Sequence, residues 1–165
     1  VYVGSSKEGS TLTRILALEK ATQIEILEEF RLMFVLGDKT LWSFPLEALS
    51  TNDPTQRRGK KISANVPFFH VGSCLNKILV CVVRTNTLSA TTIRTLEPSS
   101  VADSKKAKSP FSRLVRGSSD NLKVYKDLYL PSEASSINLL RTKMCIACSK
   151  GIEVVDMVSF EVQGE

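Results

Sequence analysis

Short apolar runs separated by turn residues recur along this chain, and they recur in groups of four. The first group reads LTRILALEK, TQIEILEE, RLMFVLGDK and TLWSFPLEAL. The second reads KKISANV, FFHVGSC, NKILVCVVR and ATTIRTLEP, and the third LKVYKDLYL, SSINLL, TKMCIACSK and GIEVVDM. Tandem four-strand groups with a period of roughly thirty-seven residues are the sequence form of β-propeller blades. The pattern therefore predicts an all-β fold. Blade-like units are expected at 12–49, 61–98 and 122–157, with flexible loops at 50–60 and 99–121.

The most continuous run of each unit is Leu32–Leu36, Ile78–Val83 and Met144–Cys148. Apolar runs of about five residues bounded by turns fit strands buried on both faces. The run that follows in the first unit alternates, with Trp42, Phe44 and Leu46 set against Leu41, Ser43 and Pro45, as in a strand nearer a rim. Units one and three superpose without gaps. Ile26 matches Ile137, Met33 matches Met144, Val35 matches Ile146, Leu41 matches Ile152 and Phe44 matches Val155. The turn Gly37-Asp38-Lys39 matches Cys148-Ser149-Lys150-Gly151, a hairpin signal. A helix could be drawn through Leu12–Phe30 on Leu16, Glu19, Lys20 and Glu28, but Thr22, Ile24 and Ile26 alternate there and predict a strand.

Three units are too few to close a ring, since propellers take about four to eight blades. VYVGSSKEG resembles the hairpin in CIACSKGIE and reads as part of a preceding blade, and SFEVQGE reads as the start of an outer strand. The chain is thus expected to hold about three to four blades of a propeller of about seven. The remainder of the propeller, whether cut away or present as another chain, is its first expected partner.

Charge sharpens the picture. Lys and Arg number 22 against 17 Asp and Glu, giving +5, and the excess gathers at 56–61 (QRRGKK) and 105–116 (KKAKSPFSRLVR). Arg57, Arg58, Lys60 and Lys61, with Lys105, Lys106, Lys108, Arg113 and Arg116, are the candidate contacts to an acidic protein or an anionic membrane surface. Solvated loops would carry the same charge with no partner at all. Neither cluster is interleaved with stacking aromatics, so no nucleic acid is expected. Ser109-Pro110, after three lysines, is a candidate phosphorylation site.

Catalytic chemistry finds little to work with. Cys145 and Cys148 sit three apart on a strand and so face opposite ways, which does not suit one metal ion. The four cysteines mostly lie in apolar runs, where a thiol acts as a small hydrophobe. Free thiols without a signal peptide fit a reducing compartment, the cytoplasm. His70 is the only histidine, beside Phe68 and Phe69 at a strand start, and it has no nucleophile elbow. The glycines are scattered among turns rather than gathered in a phosphate loop. Glu28 and Glu29 are adjacent, and adjacent strand side chains diverge. No catalytic, cofactor or metal residues are therefore assigned. Trp42 makes no Trp-Asp pair, so the pattern is not that of WD repeats.

KATQIEILEEFRLMFVLGDKTLWSFPLEAL (20–49) and LKVYKDLYLPSEASSINLLRTKMCIACSKGIEVVDM (122–157), linked by FFHVGSCLNKILVCVVR and TIRTLEP, resemble the citron homology (CNH) domain. The likeness is strongest to the version found in fungal Rho guanine-nucleotide exchange factors. The family pattern would place a further strand and loop between Gly9 and Thr11, which this sequence lacks. The resemblance implies a propeller that binds proteins and does not catalyse, exchange being carried out by a separate helical domain. It implies contact with Rho-type GTPases or cortical signalling proteins, in the pathway that controls cell-wall integrity and polarised growth. It places the protein in the cytoplasm, peripheral at the plasma membrane. Two alternatives stand beside this reading: a membrane-targeting module that binds anionic lipid, and the propeller of a vesicle-tethering protein.

Overall fold

The computed structural model describes residues 1–3, 13–14, 16, 18–50, 57–88, 90–99, 122–159 and 162–163. Among them, regular structure consists of strands and two short 3-10 turns, so the all-β expectation holds. Strands β1 (Tyr2–Val3) and β2 (Thr13–Arg14) pair as a two-stranded sheet. The first four-stranded sheet joins β3 (Ala21–Leu27), β4 (Leu32–Gly37), β5 (Thr40–Pro45) and β6 (Lys60–Ser63). The second joins β7 (Phe69–Cys74), β8 (Lys77–Thr85), β9 (Thr91–Pro98) and β10 (Leu122–Leu130). The third joins β11 (Ala134–Leu139), β12 (Lys143–Cys148), β13 (Gly151–Asp156) and β14 (Val162–Gln163). Each is an antiparallel meander in chain order, the construction of a propeller blade. Three such sheets are fewer than the roughly four or more blades that a closed propeller takes. The alternating Thr22, Ile24 and Ile26 lie on a strand over Ala21–Leu27, as expected in place of a helix, and the chain then turns through a 3-10 segment at Glu28–Phe30.

The sheets run one strand out of phase with the sequence groups. The first run of the first group contains β2, which pairs with β1 and lies outside the first four-stranded sheet. KKIS, which opens the second group, is β6 and completes the first sheet through Trp42–Lys61 and Ser43–Lys60. LKVYKDLYL, which opens the third, is β10 and pairs with β9 along its length. A period reports the repeat length. It does not say which turn joins strands of one sheet and which crosses to the next.

The gapless superposition of units one and three holds for two strands and slips in another. Met33 pairs with Phe44 and Leu36 with Leu41, as their matches Met144 with Val155 and Ala147 with Ile152 do. On the preceding strand, however, Ile26 pairs with Met33, whereas Met144 pairs with Leu139 and not Ile137. The true counterpart of Ile26 is Leu139, two residues further on, because the connection from β11 to β12 is tighter than that from β3 to β4. A slip of two leaves each side chain on the same face, so the apolar pattern conceals it.

Two hairpins close through turns whose central residues have positive φ: Asp38 and Lys39 at 47° and 57°, and Leu75 and Asn76 at 53° and 58°. That conformation matches the right-handed twist of paired strands. For Leu75 it is uncommon. Its side chain packs against a buried core, and its N–H donates to the Arg141 carbonyl at 2.7 Å.

The chain divides into two compact units, 1–66 and 67–165. In the first, Leu16, Met33, Val35, Phe44 and Ala48 are buried together, with Val1, Leu18, Trp42 and Leu49 against them. In the second, the core lies between the second and third sheets. Leu79, Cys81, Val83, Ile93 and Leu128 meet Ile137, Leu139, Met144, Ile146 and Val155. The third sheet lies close over Gly72 on β7, where a Cβ would sit 3.2 Å from Leu139 Cδ1 and 3.0 Å from His70 Nε2. Glycine suits that close approach, since any side chain there would press on both neighbours. His70 is a half-buried side chain packed along β7, as its flanking phenylalanines predict.

Candidate interaction surface

Of the predicted contact residues, the structure places four. Arg57 and Arg58 lead into β6, and Lys60 and Lys61 open it. Arg58, Lys60 and Lys61 are exposed and Arg57 is half-buried. Lys105, Lys106, Lys108, Ser109, Arg113 and Arg116 lie outside the described residues. The basic run thus reaches into an edge strand as well as preceding it, and lysines on an edge discourage unwanted strand pairing. The chain reaches β6 past Gly59, where a Cβ would meet the Phe44 ring at 2.5 Å. The basic entry to β6 therefore passes close against the buried Phe44 ring.

Lys61 ends a cross-strand row on one face of the first sheet: Ile24 pairs with Val35, Val35 with Trp42, and Trp42 with Lys61. Ile24 and Ile26, at the other edge, are 45% and 50% exposed. Near β6 in sequence, the 3-10 turn at Leu46–Leu49 carries Glu47, which accepts from Arg31 Nε at 2.6 Å and forms an ion pair with the same guanidinium. A backbone hydrogen bond at Glu47 and the Arg31 guanidinium hold its carboxyl below the usual range. Exposed pairs of this kind contribute about 0.2–1 kcal/mol.

Pattern reading did not single out a second polar group, on the second sheet. Arg94 on β9 donates to Asp127 on β10 through Nε and Nη2, each at 2.9 Å. These hydrogen bonds raise the Arg94 pKa and hold Asp127 below the ordinary carboxylate range. Tyr129, one pleat along β10, is 73% exposed. The partners lie 33 residues apart, so only strand pairing brings them together.

Nothing described here assembles a catalytic set. Cys145 and Cys148 share β12, but only Cys148 packs against the core shared with Met144 and Ile146, as opposite-facing positions require. Burial pushes the Cys81 thiol up to about 12, so it is neutral and unreactive at neutral pH. Among the described residues no group of three or more His, Cys, Asp or Glu side chains could hold a metal ion.

The CNH domain family matches residues 1–164. The chain belongs to the CNH domain family. It is 37% identical over 169 residues to the Rho1 guanine nucleotide exchange factor 1 of Schizosaccharomyces pombe, covering 99% of this chain and 12% of that protein. It is 31% identical to the Rho1 guanine nucleotide exchange factor 2 of the same organism, covering 95% and 14%. A solved structure, the AfRom2 CNH domain, superposes with a TM-score of 0.74 at 35% identity, covering 97% of this chain and 45% of that one. This CNH chain therefore spans a small part of its curated relatives and under half of the structural one. CNH domains are non-catalytic adaptor modules, and this one is related to those of fungal Rho1 exchange factors.

Proposed function

We propose that this chain is part of the regulatory propeller of a Rho guanine-nucleotide exchange factor, binding a Rho-type GTPase or cortical signalling proteins. The observation that carries the reading is likeness along nearly the whole chain to two exchange factors for Rho1. The protein would act in the cytoplasm, peripheral at the plasma membrane or at sites of polarised growth, and would contribute to cell-wall integrity signalling. No helix among the described residues is long and apolar enough to cross a membrane. The three sheets would be blades of a propeller of about seven, completed by further strands. The basic entry to β6 and the basic segment 105–116 supply the long-range attraction that speeds association with an acidic partner.

The test is binding of the complete propeller to Rho-type GTPases in GDP, GTP-analogue and nucleotide-free states, at two salt concentrations. Preference for one nucleotide state is the expected result. Reversing Arg57, Arg58, Lys60 and Lys61 should weaken binding and leave the thermal unfolding midpoint unchanged. Absence of binding in every state overturns the direct GTPase reading.

A further inference from the structure

We propose that one end of the second unit docks on an anionic membrane surface. Leu140 and Val158 would enter the headgroup layer, and a surrounding set of lysines and an arginine would meet acidic headgroups. The proposal depends neither on the two basic clusters evident in the sequence nor on contact with a GTPase.

Hydrogen bonds define this end. The Leu75 N–H, in the β7–β8 turn, donates to the Arg141 carbonyl in the β11–β12 turn at 2.7 Å. Leu140 N–H donates to the Lys143 carbonyl, and Met157 N–H to the Thr142 carbonyl, each at 2.8 Å. Lys126 Nζ reaches the Met157 carbonyl at 3.5 Å, and Val158 N–H donates to Asp156 Oδ1 at 2.9 Å. The entry to β10 joins the same group. A bulge at Tyr125 is held by the buried Thr95 hydroxyl, which donates to the Lys126 carbonyl at 2.8 Å and accepts the Lys126 N–H at 2.9 Å. The bulged Tyr125 ring then carries Lys77 Nζ at 4.9 Å and Lys126 Nζ at 5.7 Å from its centroid.

Among the described residues of this end the cations are Lys77, Lys123, Lys126, Arg141 and Lys143, and the carboxylates are Glu97 and Asp156. Glu97 pairs with Lys77 at 3.2 Å and lies opposite Lys123, and Asp156 lies opposite Lys143, so among the described residues of this end cations outnumber carboxylates. Within this field Leu140 is 53% exposed and Val158 66%, each on a connection beyond a strand end. The opposite end of the unit, with the β8–β9, β10–β11 and β12–β13 connections, exposes Leu88 at 85%, and the described charged residues of those connections and their flanks are Arg84, Lys150 and Glu133. Exposed apolar side chains occur at both ends, and charge distinguishes them.

The chemistry favours a bilayer over a protein. Protein interfaces are depleted of lysine at their cores and rely on aromatic and arginine anchors. Lysines around protruding aliphatic side chains fit an anionic leaflet, where each cation adds attraction and each apolar tip adds burial.

The experiment is co-sedimentation of the full chain with phosphatidylcholine vesicles, with and without phosphatidylserine, at low and high salt. Retention on the phosphatidylserine vesicles, reduced by salt, is expected. Lys123→Glu with Arg141→Glu should lower it about tenfold or more. Leu140→Ser with Val158→Ser should lower it at equal charge, while Lys150→Glu at the opposite end leaves it within about twofold. Thermal unfolding of each variant separates lost binding from lost fold. Equal retention on neutral vesicles, no retention, or retention unchanged in both double variants overturns the proposal. So does loss of binding to an acidic protein in these variants without any vesicle binding. None of these results bears on GTPase preference, which the preceding experiment reads.

Discussion

Strands β4 and β12 occupy the same position in their sheets and the same phase of the repeat, yet only one is buried on both faces. Met33 and Val35 on β4 match Met144 and Ile146 on β12, and all four are fully buried. The intervening positions differ. Phe34 and Leu36 are buried on β4, while Cys145 and Ala147 are half-exposed on β12. The expectation that every continuous run is buried on both faces therefore holds for β4 and for Leu79–Val83 of β8, and fails for β12. One face of the repeat keeps its burial in both strands. The other differs between them in both size and burial.

The sharpest way to break this comparison is paired truncation. Phe34→Ala should cost about 3–5 kcal/mol, because a fully buried ring leaves a cavity. Cys145→Ala should cost less than about 1 kcal/mol. Chemical denaturation of the two variants measures the difference, and similar losses would show that β12 is as enclosed as β4. Gly72→Val comes next, at about 1–3 kcal/mol, since the added carbons press into Leu139 and His70 between packed sheets. A stability equal to the parent's would show that β7 and β11 can separate freely.

The smallest effects are electrostatic. Asp127 has a folded pKa below its ordinary value, so its contribution is present above about pH 4 and is lost as pH falls through the folded value. Asp127→Asn should lower stability at neutral pH by about 0.2–1 kcal/mol and flatten the acid limb of the stability curve. Cys81 has the opposite sense. Its thiol ionises near 9 when unfolded and near 12 when folded, so stability falls as pH rises between those values. Cys81→Ala should remove that alkaline slope, whatever it costs in packing, and a slope unchanged in the variant would mean the thiol is not held neutral.

Much of the fold was legible because strand alternation and turn chemistry are local. The apolar runs, the Asp38-Lys39 turn and the opposed Cys145 and Cys148 all follow from spacing of two along a strand. The sheet assignment of β6 and β10 was not, because an outer strand can pair on either side of a turn without changing its own pattern. The two-residue slip between Ile26 and Leu139 escaped for a related reason, since an even shift keeps the same faces buried. On the surface, the QRRGKK run could be read because its charges are contiguous, and the structure places Lys60 and Lys61 on the edge strand β6. The Arg94–Asp127 pair and the cations around Tyr125 could not. Their members come from different strands, and a bulge in β10 decides where one ring lies.

The sequence by itself determined the all-β class, the repeating meander, the buried face of each unit and the family. Those properties rest on periodicity and on residue patterns that neighbouring positions share. Only the tertiary structure decided which strands close each sheet, which face of β12 stays open, and which charges gather at one end of the second unit. These depend on register and on packing between elements far apart in the chain, and a one-dimensional pattern holds no record of either.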